Sequence, residues 1–260
     1  ATHPSGQFST ATTNTVDVAA LQSALSQEFD EIGAVVGRAW SGASPRAQSL
    51  RRDALGRLVA VEERDPSGRG YDWSATYDPI GRRIRATTTP VGGPGPEGTV
   101  TTTSLYDPEV EFLELGVSVA ASVSEPPGSS GSPSEPPQTF WKLYGPDLDG
   151  TYGGLHGTGG LEAIIDEHGT TACLHDFTGN LLAGVDAAGA VHWKPIAYSA
   201  FGPHPDATLP YLAPGVPLID ATDFRGHRRE PTGLYYWGAR DYDPASAAFL
   251  SPDPLGLAAG

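Results

Sequence analysis

The 260 residues carry a formal charge of −15, with 33 Gly, 24 Pro, one Cys and no Met. From Ala86 to Phe224 the only Lys or Arg residues are Lys142 and Lys194, which excludes the basic footprint that nucleic acid or an anionic membrane surface requires. The lone Cys173 excludes an intrachain disulfide and reads as a free, buried thiol, and no run approaches the ~18 apolar residues of a spanning helix.

This length suits one large core or two modest ones, and the Gly and Pro content demands many tight turns between short strands. The amino terminus lacks the basic-then-apolar order of a signal peptide. The missing Met points to a piece of a longer precursor.

In chain order, Val18, Leu21, Leu25, Phe29 and Ile32 recur at spacings of three and four behind Asp17, a candidate N-cap. This predicts one short N-terminal helix ending by Gly33 to Gly37. Asp-x-x-Gly tetrapeptides follow at Asp53 to Gly56, Asp65 to Gly68 and Asp78 to Gly81. Asp at the first position of a type I turn accepts a backbone N–H, and Gly at the fourth supplies the positive φ that re-enters a strand. Each tetrapeptide is therefore expected to be a hairpin tip, with Arg57 to Val61 leaving one, Trp73, Ala75 and Tyr77 entering another, and Arg82 to Ala86 leaving it.

The Pro/Gly-rich stretches 90–98 and 125–137 read as exposed loops, the second also suiting a proline-reading module. Residues 106–119 between them suit a strand pair. Asp147 and Asp149 alternate before Gly150 as in calcium loops, but the further acidic ligands do not follow, so a turn is the preferred reading. The glycine run 153–160 lacks the Lys of a phosphate loop and reads as a tight turn. Three more tips fall ten residues apart, beginning at Asp166, Asp176 and Asp186. Cys173 and His175 share a strand face, yet no second ligand pair follows, so neither metal nor cofactor is expected.

Tyr77-Asp78-Pro79-Ile80-Gly81-Arg82 resembles the repeat that names the RHS/YD-repeat proteins, with looser copies beginning at Asp53 and Asp176. Residues 224–256, with Gly233-Leu234-Tyr235-Tyr236-Trp237-Gly238-Ala239-Arg240-Asp241-Tyr242-Asp243-Pro244 and then Ser251-Pro252-Asp253-Pro254-Leu255-Gly256, resemble the RHS-repeat-associated core domain. The resemblance implies an all-β fold, a β-hairpin ribbon forming part of a spiral shell that encloses an effector. The implied organisation is an N-terminal segment over 1–50, hairpins with Pro/Gly-rich loops over 51–138 and the core region over 139–260. The implied partners are upstream repeats and a C-terminal effector of the same precursor, with secretion-apparatus or toxin-complex proteins, in a secreted or cell-surface setting without membrane insertion by this segment.

Asp241 and Asp253 are the candidate catalytic pair, because two carboxylates sharing a dry site cannot readily both ionise, so one acts as acid while the other activates water. Arg240 is placed to steady the charged partner or polarise a scissile carbonyl. In the family, an Arg-Asp pair and a later Asp in a Pro-Asp-Pro-x-Gly segment are implicated in aspartyl self-cleavage that frees the effector, and Arg240, Asp241 and Asp253 match those positions. The family's cut lies beyond that segment. Asp243 reads as structural. The rival readings are a surface module for adhesion or carbohydrate binding and a glycosidase using Asp241 and Asp253. Buried core aromatics favour the shell, and an exposed aromatic platform favours sugar.

Overall fold

A computed structural model describes residues 24–93, 98–123, 136–203 and 209–253. The strands are β1 (Leu25–Phe29), β2 (Val35–Trp40), β3 (Arg46–Arg52), β4 (Leu58–Arg64), β5 (Gly70–Tyr77), β6 (Arg83–Val91), β7 (Gly98–Tyr106), β8 (Glu114–Val123), β9 (Gln138–Tyr144), β10 (Leu161–Asp166), β11 (Gly169–His175), β12 (Leu181–Val185) and β13 (Val191–Trp193). These thirteen form one sheet in sequence order, and every neighbouring pair is antiparallel. Two small sheets follow, β14 (Tyr198–Ser199) with β15 (Gly202–Pro203), and β16 (Tyr235–Trp237) with β17 (Arg240–Asp243) and β18 (Ala248–Phe249). The fold is all-β; the one α-helix among the described residues, α1 (Leu218–Ala221), has four residues.

Each expected Asp-x-x-Gly tip is a hairpin turn. At Asp53, Asp65, Asp78, Asp176 and Asp186 one carboxylate oxygen accepts the amides two and four residues on. The fourth-position glycines of these five sit at φ between +78° and +96°, where an L side chain is strained. The tip Arg and Tyr have a shared role. Tyr77 donates its hydroxyl to the Leu58 carbonyl under the Arg57 guanidinium, and Tyr106 repeats this with the Arg83 carbonyl and Arg82. The Tyr-Asp-x-x-Gly-Arg repeat is thus a clasp between successive tips along one end of the ribbon. β-Bulges near Glu28, Arg51, Thr76, Leu105 and Leu174 fall at that same end and bend it.

The predicted N-terminal helix does not form where it is described. Leu25–Phe29 is a strand, and Asp30 to Gly33 is a further tip whose Asp30 carboxylate accepts the Ile32 and Ala34 amides. Pairing with β2 overrides the helical spacing; Leu25 is buried, while Phe29 and Ile32 are exposed. Val18 and Leu21 lie outside the described residues, as does most of 125–137. Within 106–119 there is not a complete strand pair but the end of β7, a connecting turn and the first half of β8.

One face of the sheet is covered by residues 209–253. Leu234 and Leu250 pack with Val35, Leu50, Leu58, Val61 and Trp73, while Leu212, Leu218 and Ala221 pack with Val117, Val119, Phe140, Leu161 and Ile164. Removing these side chains from water, worth ~1.5–3 kcal/mol each, fixes the C-terminal hairpin on the ribbon.

Candidate functional site

Of the predicted residues, Arg240 and Asp241 are on β17, and Asp253 lies beyond β18. Arg240 and Asp241 are consecutive on a strand, so their side chains leave opposite faces. Asp241 points inward and meets Arg83 of β6 at 2.6 Å. Arg240 stays half-buried, stacks on the Phe249 ring at 3.8 Å and pairs with Asp253 at 3.0 Å. Adjacency in sequence therefore does not make Arg240 the partner of Asp241. Asp243 is structural as expected, buried at 2.9 Å from Arg38 and accepting the Ala245 amide.

Asp241 ends a buried chain of alternating charge. Arg83 lies 3.9 Å from Glu230, which is 3.1 Å from Arg228; Arg228 is 3.3 Å from Glu114, and Glu114 is 2.6 Å from Lys142. Three cations balance three anions, as removing charges from water demands. Burial alone would raise Glu114, but Lys142 and Arg228 more than offset it and hold the carboxyl down to about 2. Arg83 is fixed further by the Tyr77 hydroxyl and lies over the Tyr236, Trp73 and Tyr77 rings at 4.1, 4.9 and 5.6 Å.

Sequence reading missed Arg83, Arg228, Glu230 and Glu114. One signal was present: Lys142 stands alone between apolar neighbours, and an isolated lysine on a core strand needs an anion. The other lone lysine, Lys194, donates to the main-chain carbonyls of Ile219 and Asp220.

A cleft of about 180 Å³ opens above Asp241, between the tips holding Leu55 and Ile80 and the turn holding Gly238 to Arg240. Its rim is apolar; Leu55 and Ile80 occupy a tip position that is Ser67 in the next hairpin, and both are exposed. Behind the hairpin, Phe224 packs at 5.7–5.8 Å against Tyr235, Trp237 and Tyr242. His227 accepts the Trp237 indole N–H at Nε2, and burial, with the nearby Lys142 charge, pushes it down to about 3. Cys173 is half-buried and its thiol is pushed up to about 12 by burial, which makes it a poor nucleophile.

No family model matches the chain, and no curated protein does. Solved structures do. The crystal structure of TcdB2-TccC3-TEV matches at 15% identity and TM-score 0.56, covering 92% of this chain and 12% of that one. TcdB2-TccC3 without its hypervariable C-terminal region matches at 15% identity and TM-score 0.55, with 92% and 12% covered. The Tc holotoxin pore of Photorhabdus luminescens with a mutated TccC3 gives 15% identity and TM-score 0.53, with 90% and 12% covered. At this identity the likeness establishes the fold, and this chain spans only about an eighth of the length of those chains.

Proposed function

We propose that this chain is a wall-and-core segment of an encapsulating β-ribbon shell of the toxin-complex kind, and that Arg240, Asp241 and Asp253 cut the polypeptide beyond Gly260 to free an effector. The observation that carries the shell reading is the thirteen-strand ribbon in strict sequence order with its own C-terminal hairpin sealed against one face. Hairpins added edge to edge build a continuous wall rather than a sandwich.

In the self-cleavage reading, an ionised carboxylate removes a proton from water as the water attacks the scissile carbonyl, and a protonated carboxyl returns a proton to the leaving amide nitrogen. As the pairs stand, both Asp241 and Asp253 are matched to arginines. Asp241 is held in place by the buried Arg83. The pair of Asp253 with Arg240 is partly exposed, and such pairs are worth ~0–1 kcal/mol, so these two groups can part to meet a substrate. Breaking that pair frees Arg240 to polarise the carbonyl.

A sugar-binding reading has less support. The core aromatics are buried or half-buried, and the exposed Trp141 and Trp193 stand on β9 and β13, four strand spacings or about 19 Å apart, too far to share one sugar ring.

The test is a chain continued past Gly260 with its native following residues, purified and followed by intact mass. Spontaneous scission in the wild type, lost in Asp241→Asn and Asp253→Asn, is expected. Equal cutting in all three excludes the aspartyl mechanism.

A further inference from the structure

A second pocket lies behind the cleft over Asp241, separated from it by Phe112, Tyr236 and Gly238, which line both. It measures about 40 Å³, and its charged lining is Glu114, Lys142, Arg225, Arg228 and Glu230. Three loops meet around it. Phe112 comes from the β7–β8 turn, His156 and Gly157 from the β9–β10 loop, and Arg225 to Arg228 from the turn that follows α1.

These loops are held in unusual shapes. Five described residues other than glycine have positive φ, and three of them line this pocket: Phe112 at +63°, His156 at +56° and Arg225 at +53°. Left-handed backbone at such residues is strained, persists only where the surroundings fix it, and gathers at ligand sites. The loops also close tightly on the pocket. A Cβ on Gly157 would lie 2.6 Å from Tyr144 Cε1, and one on Gly238 would lie 3.1 Å from Phe112 Cγ.

The charges at the pocket do not balance. The buried chain from Asp241 to Lys142 is neutral in itself, and Arg225 stands outside it. The Arg225 guanidinium lies 5.7 and 5.6 Å from the centres of the Phe224 and Trp237 rings, its Nε is buried without a hydrogen-bond partner, and no carboxylate pairs with it among the described residues. Arg228, with its side chain 8% exposed, uses both terminal nitrogens on Glu114 and Glu230 but leaves its own Nε unpartnered. His227 is kept neutral by burial first and then by Lys142, so it adds no charge. A chain of charge −15 thus gathers three cations against two carboxylates on one small pocket. Buried donors without acceptors are costly, and excess positive charge in a poorly hydrated pocket draws an anion.

We propose that this pocket binds a small monovalent anion of the halide or carboxylate class, Arg225 supplying the charge and the Nε–H groups of Arg225 and Arg228 the donors. The volume takes one halide ion or one carboxylate head with a water beside it. Glu230 Oε2 is the one buried side-chain acceptor of the lining without a partner, and that water donates one hydrogen to it and one to the anion. The bound anion ties the three loops to the hairpin that carries Arg240 and Asp241, through Tyr236 and Gly238. This inference is independent of self-cleavage.

The test is thermal unfolding of the chain at pH 7.5 and fixed ionic strength, in sodium chloride, bromide or acetate against sodium gluconate, whose anion is too large for the pocket. At about 0.2 M the midpoint is expected to rise by roughly 2–4 °C over gluconate. A response to halide supports a free ion as the occupant, and a response to acetate alone supports a carboxylate group. The response is expected to be lost in Arg225→Gln and kept in Arg51→Gln, which removes an exposed arginine from β3. Wild-type crystals soaked in sodium bromide give a reading that needs no variant: an anomalous peak in the pocket between Arg225 and Arg228. Coincident midpoints in all four salts, a pocket that holds only water in the bromide crystal, or a chloride response that survives Arg225→Gln overturns the proposal.

Discussion

The Arg83 guanidinium, carried on β6, lies 2.6 Å from the carboxylate of Asp241, 158 residues later on β17. That contact joins ribbon to hairpin, and it sets the geometry of the candidate site. Around it the two parts share main-chain contacts as well: the Tyr236 hydroxyl donates to the Gly81 carbonyl at 3.0 Å and accepts the Arg83 amide at 3.1 Å. The tip at Asp78 and the C-terminal hairpin are therefore joined, with Asp241 held against Arg83.

Because both side chains are buried, removing either alone strands a charge in a dry interior. Arg83→Met and Asp241→Leu are each expected to cost ~3–5 kcal/mol. The double variant, in which Glu230 retains Arg228, is expected to cost well below the sum of the two. Urea unfolding of the four proteins measures this. Additivity within ~0.5 kcal/mol means that the pair is not coupled.

Acid sensitivity begins earlier than carboxylates alone would give. His227 is held neutral with a folded value near 3 against an ordinary 6.5, so the stability it contributes is complete above pH 6.5 and is lost as pH falls toward 3. Glu114, held down to about 2, contributes stability that is lost between pH 4.5 and 2. Full loss of the His227 contribution is on the order of 5 kcal/mol. His227→Gln keeps an acceptor for the Trp237 indole but cannot titrate. Between pH 6.5 and 4.5 its unfolding free energy is expected to fall less steeply than wild type, by about 1.4 kcal/mol per pH unit. Coincident slopes from denaturant titrations at each pH remove His227 as the sensor.

The tips were legible because their chemistry is local: Asp accepts amides two and four residues away, and Gly supplies the positive φ. The Asp30 tip was hidden because Leu25, Phe29 and Ile32 also fit a helix, and only pairing with β2 decides between them. The charge chain was illegible for another reason. Its links join Arg83 to Asp241 and Arg228 to Glu114 across 158 and 114 residues, and no local pattern encodes such partners. The opposite placement of Arg240 and Asp241 was within reach, since neighbours on a strand face opposite ways.

Glycine has two separate uses in the ribbon, and two alanine substitutions separate them. Gly189, at a tip, has φ +83° and nothing within 4 Å of the point a Cβ would occupy, so Gly189→Ala meets only backbone strain, ~1–2 kcal/mol. Gly70, at the start of β5, is needed for close approach: a Cβ there would sit 1.9 Å from the Glu63 carbonyl oxygen and 2.7 Å from its carbon. Those atoms belong to the paired strand β4 and cannot turn aside as a side chain can. Gly70→Ala must push β4 and β5 apart at the Arg64 to Gly70 pair, beside the Arg64 contacts to the Tyr71 carbonyl and Asp72. The expected cost is ~3 kcal/mol or more, with amide exchange accelerated along the β4–β5 ladder. Urea unfolding and hydrogen exchange of both variants decide it, and a Gly70→Ala protein as stable as Gly189→Ala refutes the close-approach argument.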